Sequence, residues 1–168
     1  MRAHMLVALA LATMLICLPG LGTPQGGKSA EEYLSDGRAN FKANNYDQAI
    51  ADYTRAIEIR PDFGEAYYQR GITLSVTGEN DRAIADLGRA IEISPDAMAY
   101  FVRASCWNGK GDTDQEIADI TKGLEIKPDG YAYAARAKAW QRKGEIEKAK
   151  SDAAKARQLN PSVAVPAF

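Results

Sequence analysis

Groups able to do chemistry are scarce in this chain. It holds one histidine, His4, and two cysteines, Cys17 and Cys106, beside 22 carboxylates and 21 lysines and arginines. An activated serine or cysteine nucleophile needs a base within hydrogen-bond reach, and a structural zinc needs about four thiolate or imidazole ligands. His4 and Cys17 both fall within the first 22 residues, which read as a removable leader. Without them the chain has no histidine and a single cysteine. That excludes an internal disulfide, a Cys/His zinc site and any triad built on an imidazole. Carboxylates remain, but pairs such as Asp81 and Asp86, or Asp112 and Asp114, are expected at helix starts and exposed faces. Acidic groups there complement the helix dipole rather than catalyse. No enzymatic activity, metal or cofactor is expected.

The leader has a secretory layout. Arg2 and His4 precede an apolar run of 14 residues, Met5 to Leu18, which Pro19 and Gly20 break; Gly20 and Gly22 supply small residues for a signal peptidase. The run is shorter than the roughly 20 residues that span a bilayer as a helix, which disfavours an uncleaved anchor. Ile16 stands where a small residue would precede a lipidated Cys17, which disfavours a lipoprotein. The reading is a signal peptide over residues 1–22, cleaved near Gly22, and a periplasmic or extracellular protein with no stable membrane insertion afterwards. Loss of Arg2 leaves 20 basic against 22 acidic residues, so no positive excess recommends nucleic acid as a partner.

What must position any binding groups is a repeat. Pro61, Pro95, Pro128 and Pro161 close similar stretches, YTRAIEIRP, LGRAIEISP, ITKGLEIKP and AAKARQLNP, at intervals of 34, 33 and 33 residues. A fixed period in the thirties marks stacked copies of one small unit. Aligned on their prolines, the copies share small residues where helices cross: Gly37, Gly71, Ala104 and Ala137; Ala49, Ala83 and Ala149, broken by Glu116; Ala56, Ala90, Gly123 and Ala156. Large residues fill the columns between, Tyr33, Tyr67, Tyr100 and Tyr133, then Tyr53, Leu87 and Ile120. Ala49, Ile50, Tyr53, Ala56 and Ile57 fall on one face of a helix. Asn44, Gly78, Gly111 and Gly144 stand where the first helix of each copy must stop. Asp62, Asp96 and Asp129 are expected as N-caps, and Ser29 with Glu32 has capping-box spacing. Eight helices follow: 30–43, 46–59, 63–77, 80–93, 97–109, 113–126, 130–143 and 146–159.

These units resemble tetratricopeptide repeats. Tyr67, Gly71, Leu74, Gly78, Ala83, Leu87, Ala90 and Pro95 meet the family's pattern in the second copy, and Tyr33, Gly37, Tyr46, Ala49, Tyr53, Ala56 and Pro61 in the first. Copy three departs at Glu116 and Gly123 and copy four at Ala153, where looser packing is expected. The resemblance implies an all-α fold, a right-handed α-solenoid of four helix-turn-helix repeats at 30–62, 63–96, 97–129 and 130–161, between a linker at 23–29 and a tail at 162–168. At the end of the array Lys150, Ala153 and Arg157 replace apolar residues of the earlier copies. The last helix is therefore expected to face water and cap the array.

The resemblance also implies a function: non-catalytic protein–protein interaction, with a peptide-like segment of another protein held in the concave groove. That face is lined by the first helix of each pair, here Leu34, Arg38 and Phe41, then Glu65, Tyr68 and Ile72, then Met98, Phe101 and Ser105, then Tyr131, Ala134 and Lys138. The candidate partner-binding residues are Leu34, Arg38, Tyr68, Ile72, Phe101, Ser105, Tyr131 and Lys138. Mixed apolar, aromatic and cationic character suits an extended or helical peptide. The Lys and Asn cluster with which some family members grip a C-terminal carboxylate is absent. By the same resemblance the aromatics Tyr33, Tyr67, Tyr100, Tyr133, Trp107 and Trp140 fall in packing columns, and Cys106 shares its column with Ala39, Thr73 and Ala139, which makes a small buried hydrophobe the expectation. The competing reading is a structural subunit of a cell-envelope assembly that uses its convex face.

Overall fold

Small residues decide how the helices pair. In the computed structural model, which describes residues 27–168, a Cβ on Gly37 would stand 2.5 Å from Cε1 of Tyr53, and one on Gly71 would stand 2.8 Å from Cγ of Leu87. In these two copies the first helix thus receives the large side chain of the second. The result is α1 (Ala30–Lys42), α2 (Tyr46–Ile59), α3 (Gly64–Val76), α4 (Asn80–Ile93), α5 (Ala97–Lys110), α6 (Thr113–Ile126), α7 (Gly130–Arg142) and α8 (Ile146–Leu159). Consecutive helices pack as four hairpins, and each hairpin packs on the next. No strand occurs among the described residues. The leader and its cleavage near Gly22 lie outside them.

The core is distributed along the stack, as expected when each unit contacts only its neighbours. One cluster gathers Leu34, Tyr53 and Ala66, the next Leu74, Leu87 and Cys106, a third Ala104, Ile120 and Leu124, and a fourth Ala134, Ala156 and Val163. Cys106 is fully buried, and desolvation pushes its thiol pKa up. It is an inert packing residue. The loop glycine at 111 has φ 78° and the corresponding Asn44 has φ 61°, the left-handed turn that ends each first helix.

The capping pattern holds with one exception. Ser29 and Glu32 form a complete capping box, and Asp96 and Asp129 accept hydrogen bonds from Ala99 N and Ala132 N. Asp62 does not cap: the N-cap of α3 is Phe63. The first interval is one residue longer than the others, so Asp62 sits one residue too early, and Phe63 instead packs under the Arg60 guanidinium, 3.3 Å from its ring centroid. Two other expectations change. Ala153 is buried inside its own hairpin, with 1% of its surface exposed, because its column faces inward rather than toward a following repeat. Gly123 leaves no void, since the Phe101 ring fills its place at 2.2 Å from a built Cβ.

Asp86 is also not an exposed first-turn carboxylate. It is buried and accepts from Arg70 Nε at 2.6 Å and Arg70 Nη2 at 2.8 Å. The same bidentate pair recurs one and two copies later, with Arg103 on Asp119 at 2.8 and 2.7 Å, and Arg136 on Asp152 at 2.7 and 2.9 Å. Arg70 and Arg136 each extend a further hydrogen bond, 2.9 Å, to Thr54 and Thr121 of the preceding copy. These arginines therefore tie each hairpin together and two hairpins to each other. In the first copy, Asp52 instead accepts from the neutral Asn40 and Gln48 at 2.7 and 3.1 Å.

Two buried side-chain atoms are unsatisfied among the described residues, Tyr53 Oη and Arg60 Nε. The Tyr53 hydroxyl has no hydrogen-bond partner, and burial pushes its pKa up to about 12. Removing an unpaired buried hydroxyl is favourable, so Tyr53→Phe should stabilise the fold by about 1 kcal/mol at neutral pH. Because the folded pKa exceeds the ordinary value near 10, the contribution is intact below pH 10 and lost as pH rises toward 12. At pH 11 the wild type should lose about 1.4 kcal/mol through this group, and the phenylalanine variant should not. Urea melts of both proteins at the two pH values test this.

Candidate functional site

The first helices of successive copies stand side by side, α3 against both α1 and α5. Their free face carries the candidate binding groups, but its depth is uneven. Between α5, α6 and α7 a cleft of about 390 Å³ opens, walled by Met98, Phe101, Ser105, Ile120, Tyr131 and Ala135, with Glu116 and Asp129 at its polar edge. The large neighbours that would close it are absent: Ala104, Ala132 and Ala135 are small, and the Phe101 ring is drawn aside onto Gly123. A second cleft of about 370 Å³ runs on from it, sharing Glu116, Asn108 and Tyr131 and adding Lys138, Arg142, Val163 and Ala164.

Glu116 is the unusual member. It stands where the other copies carry alanine, yet it is 5% exposed, and its Oε2 accepts a hydrogen bond from Arg142 of α7. The Arg142 guanidinium supplies its ion-pair partner. The carboxylate gives an otherwise apolar cleft a fixed polar wall. Lys138, on the same helix as Arg142, is exposed and forms no ion pair among the described residues. The two clefts together thus offer apolar surface, one compensated carboxylate and one free cation.

Of the candidate residues, Phe101, Ser105 and Tyr131 surround the larger cleft, and Lys138 lies beside Tyr131 in the adjoining one. Tyr68 lines a separate, smaller hollow of about 130 Å³ with Glu65, Asp96 and Ala99. Ile72 is half-buried and borders neither cleft. Arg38 borders neither cleft; its Nη2 meets Glu65 Oε1 at 2.6 Å in an exposed ion pair between the first copy and the second. Leu34 must be withdrawn from the groove. It is buried among Ala30, Tyr53 and Ala66, because the entering face of α1 turns into the first hairpin's core. Sequence reasoning missed Glu116, Arg142 and the tail residues as lining groups. The break that Glu116 makes in an alanine column was the available signal.

No group of His, Cys, Asp and Glu among the described residues could hold a metal ion, and no helix among them is long and apolar enough to cross a membrane. Two sequence models of the family match: one described as TPR repeat covers residues 37–75, and one described as tetratricopeptide repeat covers residues 68–131. The chain belongs to the tetratricopeptide repeat family. Among solved tetratricopeptide folds it is similar to a crystal structure of MamA, at 27% identity and TM-score 0.75, covering 79% of this chain and 78% of that one. It is likewise similar in fold to MamA residues 41 to the end from Desulfovibrio magneticus RS-1, at 21% identity and TM-score 0.74, covering 79% and 76%. A search of curated proteins found no match. Tetratricopeptide repeats are protein–protein interaction modules, and at that level the function of this chain follows from its family.

Proposed function

We propose that the cleft between α5, α6 and α7 binds a peptide-like segment of another protein, without catalysis and without a cofactor. The observation that carries the reading is the cleft itself, an apolar hollow of about 390 Å³ with a buried, compensated carboxylate in its wall. Side chains of a ligand would gain about 25 cal/mol per Å² of apolar area removed from water. Ordering a flexible segment offsets much of this, which sets the expected affinity in the micromolar range. Lys138 would orient an acidic or carboxylate-bearing ligand more than tighten it.

Variants must spare the core. Phe101 packs on Gly123, so its truncation would confound folding with binding; Met98 and Tyr131 are 51% and 67% exposed and do not. Met98→Asp with Tyr131→Ala should lower capture of a crosslinked native partner at least tenfold, about 1.4 kcal/mol, with helical circular dichroism unchanged. Arg89→Ala with Lys122→Ala, exposed positions on second helices, should leave capture intact. The opposite pattern would move the interaction to the convex face and favour the envelope-subunit reading.

We also place the protein outside the cytoplasm, on the strength of the leader in residues 1–22. Mass spectrometry of the native protein should find an N-terminus near Thr23. An intact Met1 in the cytosol would end that placement.

A further inference from the structure

The chain beyond α8 does not trail into solvent. Asn160 Oδ1 accepts from Ser162 N at 3.2 Å and from Ser162 Oγ at 2.8 Å, and Val163 N donates to Asn160 O at 3.1 Å. Gly130 leaves room for this turn, since a Cβ there would stand 3.0 Å from Cβ of Asn160. Val163 is then buried against Ala134 and Ala156, with Tyr133 and Val165 packed on the same cluster. Further along, the Gln141 side-chain amide donates to the Ala167 carbonyl at 2.9 Å. Ala134, Lys138 and Gln141, spaced i, i+4 and i+7, share one face of α7. The tail runs along that face, in neither helix nor strand.

Its position in the repeat gives this contact meaning. Val163 is equivalent by the 33-residue period to Gly130 and Ala97, with which α7 and α5 begin. The tail therefore lies where the first helix of a further hairpin would enter. Residues 163–168 are not helical, and Pro166 lacks the amide hydrogen a helix or ladder would use. A face shaped for a helix is thus filled by an extended segment. Beyond the turn at Asn160, only two valines and the Gln141 hydrogen bond hold it to α7, an attachment that opens far more readily than the array unfolds.

We propose that this face of α7 is a receptor for an extended aliphatic segment, two valines with one residue between them followed by proline, which the chain's own tail fills until a partner protein carrying a segment of the same chemistry displaces it. The alanine surface at Ala134 accepts small branched side chains, and Gln141 reads a backbone carbonyl, so recognition needs neither a helix nor a charge. Release of the tail also removes Val163 and Ala164 from the wall of the smaller cleft and lengthens the groove at that end. This inference does not depend on what the larger cleft binds. A tethered segment acts at an effective concentration on the order of millimolar, and a competitor's apparent affinity falls in proportion to the fraction of time the site is open.

The test uses the full chain with Val163→Asp and Val165→Asp, which releases the tail because an unpaired carboxylate cannot stay in that cluster. The probe is a synthetic acetylated peptide with the sequence from Ser162 to Phe168, titrated while amide NMR shifts are followed. The double variant should keep its helical circular dichroism and bind the peptide with shifts confined to the Ala134, Lys138 and Gln141 face. Wild type should bind at least about tenfold more weakly, being open a tenth of the time or less. Adding Gln141→Ala to the double variant should weaken binding, and a peptide with aspartate in place of both valines should not bind. Val165→Asp alone serves should the double variant not fold. Equal binding by wild type and variant, absence of binding to a folded variant, or shifts centred on Met98 and Ser105 would each overturn the proposal. Met98→Asp leaves the α7 face intact, so a failure here and a failure of the cleft reading give different results.

Discussion

Asp86→Ala should cost about 3 to 5 kcal/mol of stability, one of the two largest single losses expected in this protein. The alanine removes one partner of a buried pair and leaves the Arg70 guanidinium, 17% exposed, with Thr54 as its remaining polar neighbour. An uncompensated buried charge is far costlier than the net worth of the pair that contained it. Asp52→Ala supplies the control. The equivalent carboxylate of the first copy accepts only from the half-buried Asn40 and the exposed Gln48, amides that water can reach, so its loss should cost about 0.5 to 1.5 kcal/mol. Replacing Arg70 and Asp86 together by Met and Leu should recover most of the loss, since hydrophobic residues often substitute for a buried ion pair at little cost. Urea melts of the three variants and the wild type decide the matter. Equal losses for Asp52→Ala and Asp86→Ala would mean that charge burial is not what these columns contribute.

That ladder was present in the sequence and still went unread. Asp52, Asp86, Asp119 and Asp152 form an unbroken column, and Arg70, Arg103 and Arg136 form another sixteen residues upstream of the last three. Apolar periodicity identifies which residues face a core, but a charged column carries no sign of whether it faces water or a partner on the next helix. Helix boundaries were legible for the opposite reason. Pro, Gly and Asn restrict the backbone locally, so every one of the eight helices falls within two residues of where those residues place it. Asp62 shows the limit, since one inserted residue changed its role without changing its type.

The candidate site divides in the same way. Column arithmetic put Phe101, Ser105, Tyr131 and Lys138 on the free faces of their helices, because facing follows from the 3.6-residue turn. Depth does not. The cleft exists because a glycine draws one aromatic ring aside and three alanines fail to fill the space, a matter of side-chain volume summed over three helices. The tail was illegible for a simpler reason: it has no period, and only the phase of Val163 with Gly130 and Ala97 links it to the array.

Ile91→Ala should cost about 2 to 4 kcal/mol, whereas Arg157→Ala, two copies further on in the same column, should cost less than about 0.5 kcal/mol. Ile91 is 8% exposed on α4, and α5 packs directly on that helix. Truncation there removes buried methylenes and leaves a cavity between two hairpins, which neighbours cannot close without moving a whole helix. Arg157 lies exposed in the last turn of α8, and its main electrostatic contribution is to the helix dipole, a few tenths of a kcal/mol. The docked tail does not alter this contrast, because Val163 covers Ala134 and Ala156 and leaves Lys150 and Arg157 exposed. The fourth hairpin therefore presents two surfaces of different character, a charged outer helix and a first helix covered by the tail. Thermal melts of the two alanine variants read the difference directly. Comparable losses at both positions would show that α8 is covered in solution, and would transfer the role of end cap from Lys150 and Arg157 to whatever covers it.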